Sequence, residues 1–317
     1  MNLSIVIPNY NGEKIMQKNL PKVLEAVKDY KEGTVEIIIP NDPSTDKSSE
    51  VIAQFIASIK LDHVVGKTIE NKNRHEGGFS KNVNRGVSLA TGDILILLNT
   101  DVIPHRDFLK PLLKHFEDEA VFGVACMDES VEDEGIVLRG RGIAKWQRGF
   151  LMHHEGKLDK TNTLWVSGGS SAIRKKLWDK LKGLDPLFNP FYWEDIDLSY
   201  RALKSGYKLI FEKESKVTHE HEKGAIKTKF KNAYVKKIAY RNQFIFVWKN
   251  ITQTRLMLSH LLWLPYHLLK SLKNKDFAFL MAFGLAVVLL PKILDERKRV
   301  QKGFVKKDLD IITIFRE

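Results

Sequence analysis

Short apolar runs alternate with helix-like segments along the first hundred residues of the chain. The runs at residues 3–7, 35–39 and 94–98 are rich in Ile, Leu and Val, and each is followed by a proline or an asparagine. This pattern is typical of buried strands. Between the runs, residues 14–28 and 48–59 place apolar side chains at helical spacing. A β-α-β succession of this kind predicts an α/β fold with a mostly parallel sheet covered by helices.

Polar, turn-forming residues follow these runs at positions 8–12, 41–46 and 99–101. Open α/β sheets bind their ligands at the carboxyl ends of the strands. We therefore expect the chemistry of the protein at these three places. The first run is not followed by G-x-G-x-x-G, and the chain contains no G-x-x-x-x-G-K-[ST]. Both absences argue against a dinucleotide-binding fold and a P-loop.

The periodicity is weaker in the middle of the chain. Residues 121–165 carry acidic and then basic stretches, which predict a long loop over the site. Strands are predicted at residues 166–173 and 207–211. Between them, the acidic cluster at residues 194–197 opens a predicted helix that ends near Gly206.

The single cysteine, Cys126, argues against a disulfide-stapled secreted scaffold and against a cysteine-rich zinc module. Residues 1–5 lead directly into the first strand, without the basic start and long apolar core of a secretory signal peptide. Together these features favour a reducing, cytoplasmic location.

The positive charge is concentrated at the C-terminal end. The formal net charge is +12, yet residues 223–317 hold 20 Lys and Arg against 6 Asp and Glu, and residues 1–222 are close to neutral. We therefore divide the chain into an N-terminal domain at residues 1–222 and a basic, apolar helical region at residues 223–317. Such an asymmetry predicts an anionic partner, either a membrane surface or a nucleic acid.

Two apolar segments, residues 256–269 and 277–290, lie inside the basic region. The second has 14 residues without a charge; as a helix it is about 21 Å long, short of the ~30 Å hydrocarbon core of a bilayer. Flanking lysines and arginines favour peripheral or monotopic attachment to the inner leaflet of the cell membrane. Packing on the N-terminal domain or in a homo-oligomer is the alternative. Nucleic acid is disfavoured because the charges alternate with Leu, Phe and Val rather than with stacking aromatics.

Five motifs occur in an order that resembles a known family. They are IVIPNYNG, PNDPSTDKS, GGFSKNVNRG, GDILILLNTDV and FYWEDIDLSYRALKSGYKL. Together they resemble the inverting glycosyltransferases of family 2, which have the GT-A fold, and most closely the rhamnosyltransferase-like branch. The resemblance implies a nucleotide-sugar donor, a divalent cation (Mn²⁺ or Mg²⁺) and displacement at the anomeric carbon with inversion.

By this resemblance, Pro8, Tyr10 and Asn11 would line the pocket for the nucleotide base. Asn41 stands where the family usually has an aspartate that binds the base. Because the common order of the two residues is reversed here, Asp42 is the alternative. The resemblance places three further residues near the ribose and the diphosphate: Lys81, Asn84 and Asn99.

Asp101 occupies the place of the D-x-D motif that binds the cation, and His219 matches a histidine that completes the metal shell. A hard cation needs only one or two protein carboxylates beside phosphate oxygens. Glu194 and Asp195 match the catalytic acidic pair, in which a carboxylate takes the proton of the acceptor hydroxyl. We expect Asp195 to be this base and Glu194 to be the second choice. Helix capping for Asp101 and dipole stabilisation by Asp195 are the structural alternatives.

The sequence thus predicts a metal-dependent inverting glycosyltransferase that moves a sugar from a UDP- or dTDP-linked donor to a hydroxyl of a glycan or lipid-linked glycan. A catalytically inactive relative that acts as a partner protein is one alternative, supported by the Asn41–Asp42 order and by Asn99. A basic nucleic-acid-binding protein is a less favoured one.

Overall fold

The computed structural model describes residues 1–71, 73, 77–220 and 230–315. The strands are β1 Leu3–Val6, β2 Val35–Asn41, β3 Val64–Glu70, β4 Ile94–Leu98, β5 Val102–Pro104, β6 Val121–Glu132, β7 Gly135–Arg139, β8 Gly142–Gln147, β9 Phe150–Glu155, β10 Ser170–Arg174 and β11 Lys208–His219. The α-helices are α1 Glu13–Val27, α2 Ser48–Ser58, α3 Phe79–Val87, α4 Leu109–Leu113, α5 Lys175–Leu181, α6 Glu194–Lys204, α7 Asn232–Asn250, α8 Thr254–Lys273, α9 Phe277–Val288, α10 Leu290–Gln301 and α11 Asp308–Ile314.

One half of the central sheet is parallel, in the order β3-β2-β1-β4. Ile5 of β1 pairs with Ile37 of β2 on one side and with Ile96 of β4 on the other. All four described residues of β1 and all five of β4 are buried. Strands that are covered on both faces appear in the sequence as continuous apolar runs, so the predicted bounds of β1 and β4 are close to the observed ones. The predicted α/β class is confirmed.

The other half of the sheet is mixed. β10 runs antiparallel to both β4 and β6, whereas β6 and β11 are parallel to each other. β11 is irregular between Glu212 and Lys216 and continues to His219, beyond the predicted end of this strand. At its far end β11 pairs antiparallel with β5. The long β11 therefore carries its last residue, His219, to the start of β5, next to the segment that joins β4 to β5.

The predicted loop at residues 121–165 is wrong, because this segment forms four strands. The first eight residues of β6 are all buried, so they show no alternation of polar and apolar side chains. β7 extends β6 as a hairpin, and β8 pairs with β9 in a separate two-stranded sheet. The strand expected from residue 166 begins only at Ser170 and leaves residues 167–169 as a loop.

The C-terminal helices share a hydrophobic core with the sheet. Phe244 and Phe246 of α7 are fully buried together with Trp193 and Tyr200. The predicted division at residues 222 and 223 lies outside the described residues and stays a prediction. No single helix in the described ranges has the length and apolar composition of a membrane span. α9 and α10 together have both, but they are bent by 65° relative to each other.

Candidate active site

A cleft of about 660 Å³ opens at the carboxyl ends of β1, β2 and β4. Pro8 and Tyr10 reach it after β1, and Asp42 reaches it after β2. Eight of the residues predicted from the sequence line this cleft, and they are Pro8, Tyr10, Asp42, Asn99, Asp101, Glu194, Asp195 and His219. The cleft thus collects side chains that are far apart in the chain.

Asn41 and Asp42 differ in what their side chains do. The Asn41 amide accepts hydrogen bonds from Asn9 (2.7 Å) and Ser44 (3.0 Å), and its Nδ2 donates to Glu70. It is buried and does not line the cleft. Asp42 lines the cleft, and its Oδ2 accepts from the Gly78 amide at 2.8 Å. Of the two residues left open by the reversed order, Asp42 is the one at the site.

Three other predicted residues lie outside the cleft lining. The Asn11 side chain accepts a hydrogen bond from the Thr45 amide at 2.6 Å and so ties two loops together. Asn84 binds Leu184 in both directions, accepting from its amide at 3.1 Å and donating to its carbonyl at 2.7 Å. Lys81, on α3, is half-buried and is also absent from the lining. Asn11 therefore holds Thr45, which lines the cleft, whereas Asn84 joins α3 to the segment after α5.

His219 stands between two carboxylates at the end of β11. Its Nδ1 is 2.9 Å from Asp128 Oδ2 on β6, and its Nε2 is 3.4 Å from Asp101 Oδ1. Burial alone would lower the pKa of His219, but hydrogen bonds with Asp101 and Asp128 outweigh it and raise the pKa to about 9. The ring is therefore cationic at neutral pH in the chain alone, where it balances both acids.

The donor set at this place fits a divalent cation that is also held by a ligand. In the ranges that the structure describes, no group of three or more His, Cys, Asp or Glu side chains is arranged to hold a metal ion. Asp101 and the Nε2 of His219 offer two donors, which suffice where phosphate oxygens and water supply the rest. The Asp128 carboxylate fixes the ring through Nδ1, an arrangement common behind histidine ligands.

The backbone of the loop at residues 167–169 lies close to Asp195 and to Asn99. The Gly168 amide donates to Asp195 Oδ2 at 3.3 Å. A Cβ atom at Gly169 would lie 2.4 Å from Asn99 Nδ2, so any other residue here would displace the Asn99 side chain. The Ser-Gly-Gly sequence therefore brings the start of α6 to the end of β4.

Glu194 and Asp195 begin α6, and both line the cleft. Asp195 also accepts from the Ile196 amide at 2.8 Å. Burial raises the pKa of both carboxyl groups, and the neighbouring Asp195 raises that of Glu194 further. Glu194 Oε2 has no hydrogen-bond partner among the described residues. These conditions favour a proton on Glu194, whereas two backbone N–H groups favour the ionised form of Asp195.

Asp197 has a structural role in a buried charge network. It accepts from Arg201 Nε at 2.8 Å and from Asn250 Nδ2 at 2.8 Å. Lys249 donates to Asp197 at 3.0 Å and also binds Asp185. The network joins the first turn of α6 to the end of α7 and so fixes the helix that carries the acidic pair.

Asn242 of α7 holds the loop before the acidic pair. Its Nδ2 donates to the carbonyls of Phe188, Phe191 and Tyr192 at 2.7, 2.9 and 2.8 Å. Sequence reasoning missed both Asn242 and Asp128. Asn242 stands in an ordinary helical segment, and Asp128 stands in a segment that was interpreted as a loop.

Residues 4–182, more than half of the chain, match the model of the glycosyl transferase family 2. The chain belongs to this family. Among curated relatives, the probable glycosyltransferase YdaM of Bacillus subtilis (strain 168) is 24% identical over 216 residues, which cover 66% of this chain and 48% of that protein. The O-antigen chain rhamnosyltransferase RfbN of Salmonella typhimurium is 21% identical over 70% of this chain and 67% of that protein. The chain therefore spans about half the length of the first of these relatives.

Solved glycosyltransferase structures share the fold. GalNAc-T7 with UDP, GalNAc and Mn²⁺ has a TM-score of 0.62 at 17% identity, over 78% of this chain and 48% of that one. TarS 1–349 of S. aureus in complex with UDP-GlcNAc has a TM-score of 0.60 at 13% identity, over 98% and 89%. The mannosyltransferase PcManGT from Pyrobaculum calidifontis, with GDP-Man and Mn²⁺, has a TM-score of 0.57 at 16% identity, over 95% and 85%. The GT-A fold expected from the motifs is confirmed.

Proposed function

We propose that this glycosyltransferase moves a sugar from a nucleoside-diphosphate donor to a hydroxyl of a glycan or lipid-linked glycan, with inversion. One observation carries the proposal: a single cleft contains Asp42, the Asp101–His219 pair and the acidic pair Glu194–Asp195. A displacement at an anomeric carbon needs these three functions in one place, to bind the nucleotide, stabilise the leaving diphosphate and activate the acceptor.

Asp195 is the proposed general base. An acceptor hydroxyl is a weak nucleophile, so a carboxylate must take its proton as the new glycosidic bond forms and the bond to the diphosphate breaks. The Gly168 and Ile196 amides orient Asp195. Its raised pKa also makes it a stronger base than an ordinary aspartate. The hydroxyl attacks the anomeric carbon on the face opposite the departing diphosphate, and this direct displacement inverts the configuration.

The nucleotide is proposed to bind at the β1 and β2 end of the cleft. Tyr10 and Pro8 offer apolar surface, and Asp42 offers an acceptor to a base N–H. Uracil and thymine share the N–H and carbonyl groups that such a site can read, so UDP- and dTDP-linked donors are the candidates. Two structural neighbours, GalNAc-T7 with UDP and TarS 1–349 with UDP-GlcNAc, support this choice.

Asp101 and His219 are proposed to hold a divalent cation, Mn²⁺ or Mg²⁺. When bound, the cation offsets the negative charge of the departing diphosphate. Two structural neighbours, GalNAc-T7 and PcManGT, are complexes with Mn²⁺, which supports this assignment. Asn99, which lines the same part of the cleft, is left to contact the ribose as a neutral partner.

Release of nucleotide from a panel of UDP-, dTDP- and GDP-sugars tests the proposal. Wild type would be compared with Asp101→Ala and with Asp107→Ala, which changes an exposed aspartate in the segment after β5. We expect wild type to release nucleotide from one donor only when the metal is present. Asp101→Ala should lose this release, and Asp107→Ala should keep it. Donor binding without release, also after addition of lipid extracts as an acceptor source, would indicate the inactive partner protein. Absence of any donor binding would overturn the proposal.

The C-terminal region is proposed to bring the enzyme to the anionic cytoplasmic leaflet, where lipid-linked acceptors are displayed. α8 presents a row of exposed leucines at helical spacing, Leu258, Leu261, Leu262, Leu269 and Leu272, called here the α8 apolar face. Leu262 is 79% exposed and Leu269 is 67% exposed. Lys270 and Lys273 adjoin the row within the same helix. Apolar side chains bordered by cations suit an anionic lipid surface.

Sedimentation with vesicles tests this location. Vesicles of phosphatidylcholine alone would be compared with vesicles that contain about one third phosphatidylglycerol. We expect binding to the anionic vesicles only and its loss in Leu262→Glu with Leu269→Glu. Val65→Glu, which changes a half-exposed valine on β3, is the control. A homodimer in light scattering, together with no vesicle binding, would assign the α8 apolar face to a second copy instead.

A further inference from the structure

Aromatic side chains line the cleft beside the acidic pair. Phe191, Tyr192 and Phe230 all border it. Phe191 contacts Tyr192 and Phe230 with ring centroids 5.1 Å apart in each case. Phe230 is itself stacked on Tyr234 at 5.5 Å. These four residues are called here the aromatic wall, and two of them, Phe191 and Tyr192, lie three and two residues before Glu194 in the chain.

Tyr192 is the most exposed of the three wall residues that line the cleft. It is 40% exposed, whereas Phe191 is 4% exposed. Phe191 meets the Tyr192 ring at 75° rather than in a stack. An edge-on neighbour fixes a ring without covering both of its faces. The structure therefore presents a tyrosine ring to the cleft, two residues before Glu194.

The backbone keeps Tyr192 in this position at a cost. Tyr192 and Trp193 both have left-handed backbone angles, with φ of 71° and 76°. Bulky side chains rarely adopt this region, because Cβ approaches the following carbonyl oxygen. Asn242 holds the conformation by donating to the carbonyls of Phe191 and Tyr192. Strained residues that are held in this way occur mainly at functional sites.

We infer that Tyr192 forms the acceptor subsite, where a pyranose ring stacks on the tyrosine and places its hydroxyl at Asp195. The inference rests on the proposed transfer reaction and specifies its acceptor as a pyranoside. One face of a pyranose exposes mainly C–H groups, which suit the negative face of an aromatic ring. The nucleotide is proposed to lie in the same cleft beside Tyr10 and Asp42.

Saturation-transfer NMR tests the inference without knowledge of the natural acceptor. The probes are methyl β-D-glucopyranoside, methyl N-acetyl-β-D-glucosaminide and methyl α-L-rhamnopyranoside, each added to the full chain with saturating UDP and Mn²⁺. We expect transfer to the C–H protons of one face of at least one probe. Tyr192→Ala should weaken that binding about fivefold to tenfold, and Tyr192→Phe should keep it.

Tyr234→Ala is the matched control, since Tyr234 belongs to the aromatic wall but does not line the cleft. UDP affinity, measured by calorimetry, should be unchanged in all three variants, which also shows that they fold. If UDP binds but no probe receives saturation, or if Tyr192→Ala binds the probes as wild type does, the inference is wrong. If UDP itself does not bind to wild type, the proposed transfer reaction fails instead. A loss of UDP affinity in Tyr192→Ala alone would assign the ring to the donor.

Discussion

The Nδ1 atom of His219 lies 2.9 Å from Oδ2 of Asp128, although the two residues are 91 positions apart in the chain. The parallel pairing of β11 with β6 produces this contact, because it brings the ends of both strands to one edge of the site. The Asp128 carboxylate is held in turn by Ser130 Oγ at 2.7 Å. His219 therefore reaches the cleft with its ring orientation fixed.

Asp128→Asn should weaken Mn²⁺ binding in the presence of UDP about tenfold to a hundredfold, because the ring would lose the partner that orients it. Titration of Mn²⁺ into the UDP-loaded protein, followed by electron paramagnetic resonance, measures this. Asp133→Asn removes an exposed acid in the turn after the same strand and should change nothing. Unaltered affinity in Asp128→Asn would remove His219 from the proposed metal site.

Asn242→Ala should lower both stability and turnover. The substitution leaves the carbonyls of Phe188, Phe191 and Tyr192 without the donor that now serves all three. The unfolding free energy should fall by about 1–3 kcal/mol, since buried polar groups lose their partner. Urea unfolding measures the loss, and Gln243→Ala on the same helix is the control. Equal stability of Asn242→Ala and wild type would show that the loop keeps its left-handed backbone angles without Asn242.

The sequence located most of the site because the parallel strands are short, apolar and closely followed by polar residues. Pro8, Asp42 and Asp101 were found in this way, since the carboxyl ends of neighbouring parallel strands meet at one edge. The choice between Asn41 and Asp42 needed the structure, since the two are neighbours at the end of β2 and differ in their hydrogen bonds and in whether they line the cleft.

The parts that the sequence did not reveal depend on long-range pairing. β6 was not recognised because its buried start hides the alternation and its exposed end resembles a loop. Asp128 was lost together with it. Asn242 contacts residues about 50 positions earlier, and nothing local distinguishes it from other polar residues of α7. Such residues can be identified only from the folded structure.

Glu36 should make stability depend on pH. Burial alone would raise its pKa, but hydrogen bonds from Lys67, Ser4 and Thr91 outweigh this effect and lower the pKa from 4.5 to about 2. The stabilisation is therefore complete above pH 4.5 and is lost as the pH falls towards 2. Glu36→Gln should be less stable by about 1–2 kcal/mol at pH 6, after allowance for solvent screening, and the difference should shrink at pH 3. Urea unfolding at both pH values measures it. A difference that is the same at pH 3 would contradict the low pKa.

The acidic pair predicts how turnover depends on pH and on each carboxylate. Because burial raises the pKa of Asp195, kcat should fall on the acidic side with an apparent pKa above the ordinary aspartate value of 3.8. Activity is present above this pKa and is lost as the base takes up a proton. Asp195→Asn should reduce kcat about 10²-fold to 10⁴-fold.

Glu194→Gln tests the second carboxylate of the pair. The glutamine amide has nearly the shape of the protonated acid that burial favours at Glu194. The variant should keep most of the activity. Donor affinity, measured by calorimetry, should be the same in Asp195→Asn, Glu194→Gln and wild type. If Glu194→Gln loses as much activity as Asp195→Asn is expected to lose, and Asp195→Asn stays active, then Glu194 is the base. The Gly168 and Ile196 amides would in that case serve only to position the start of α6.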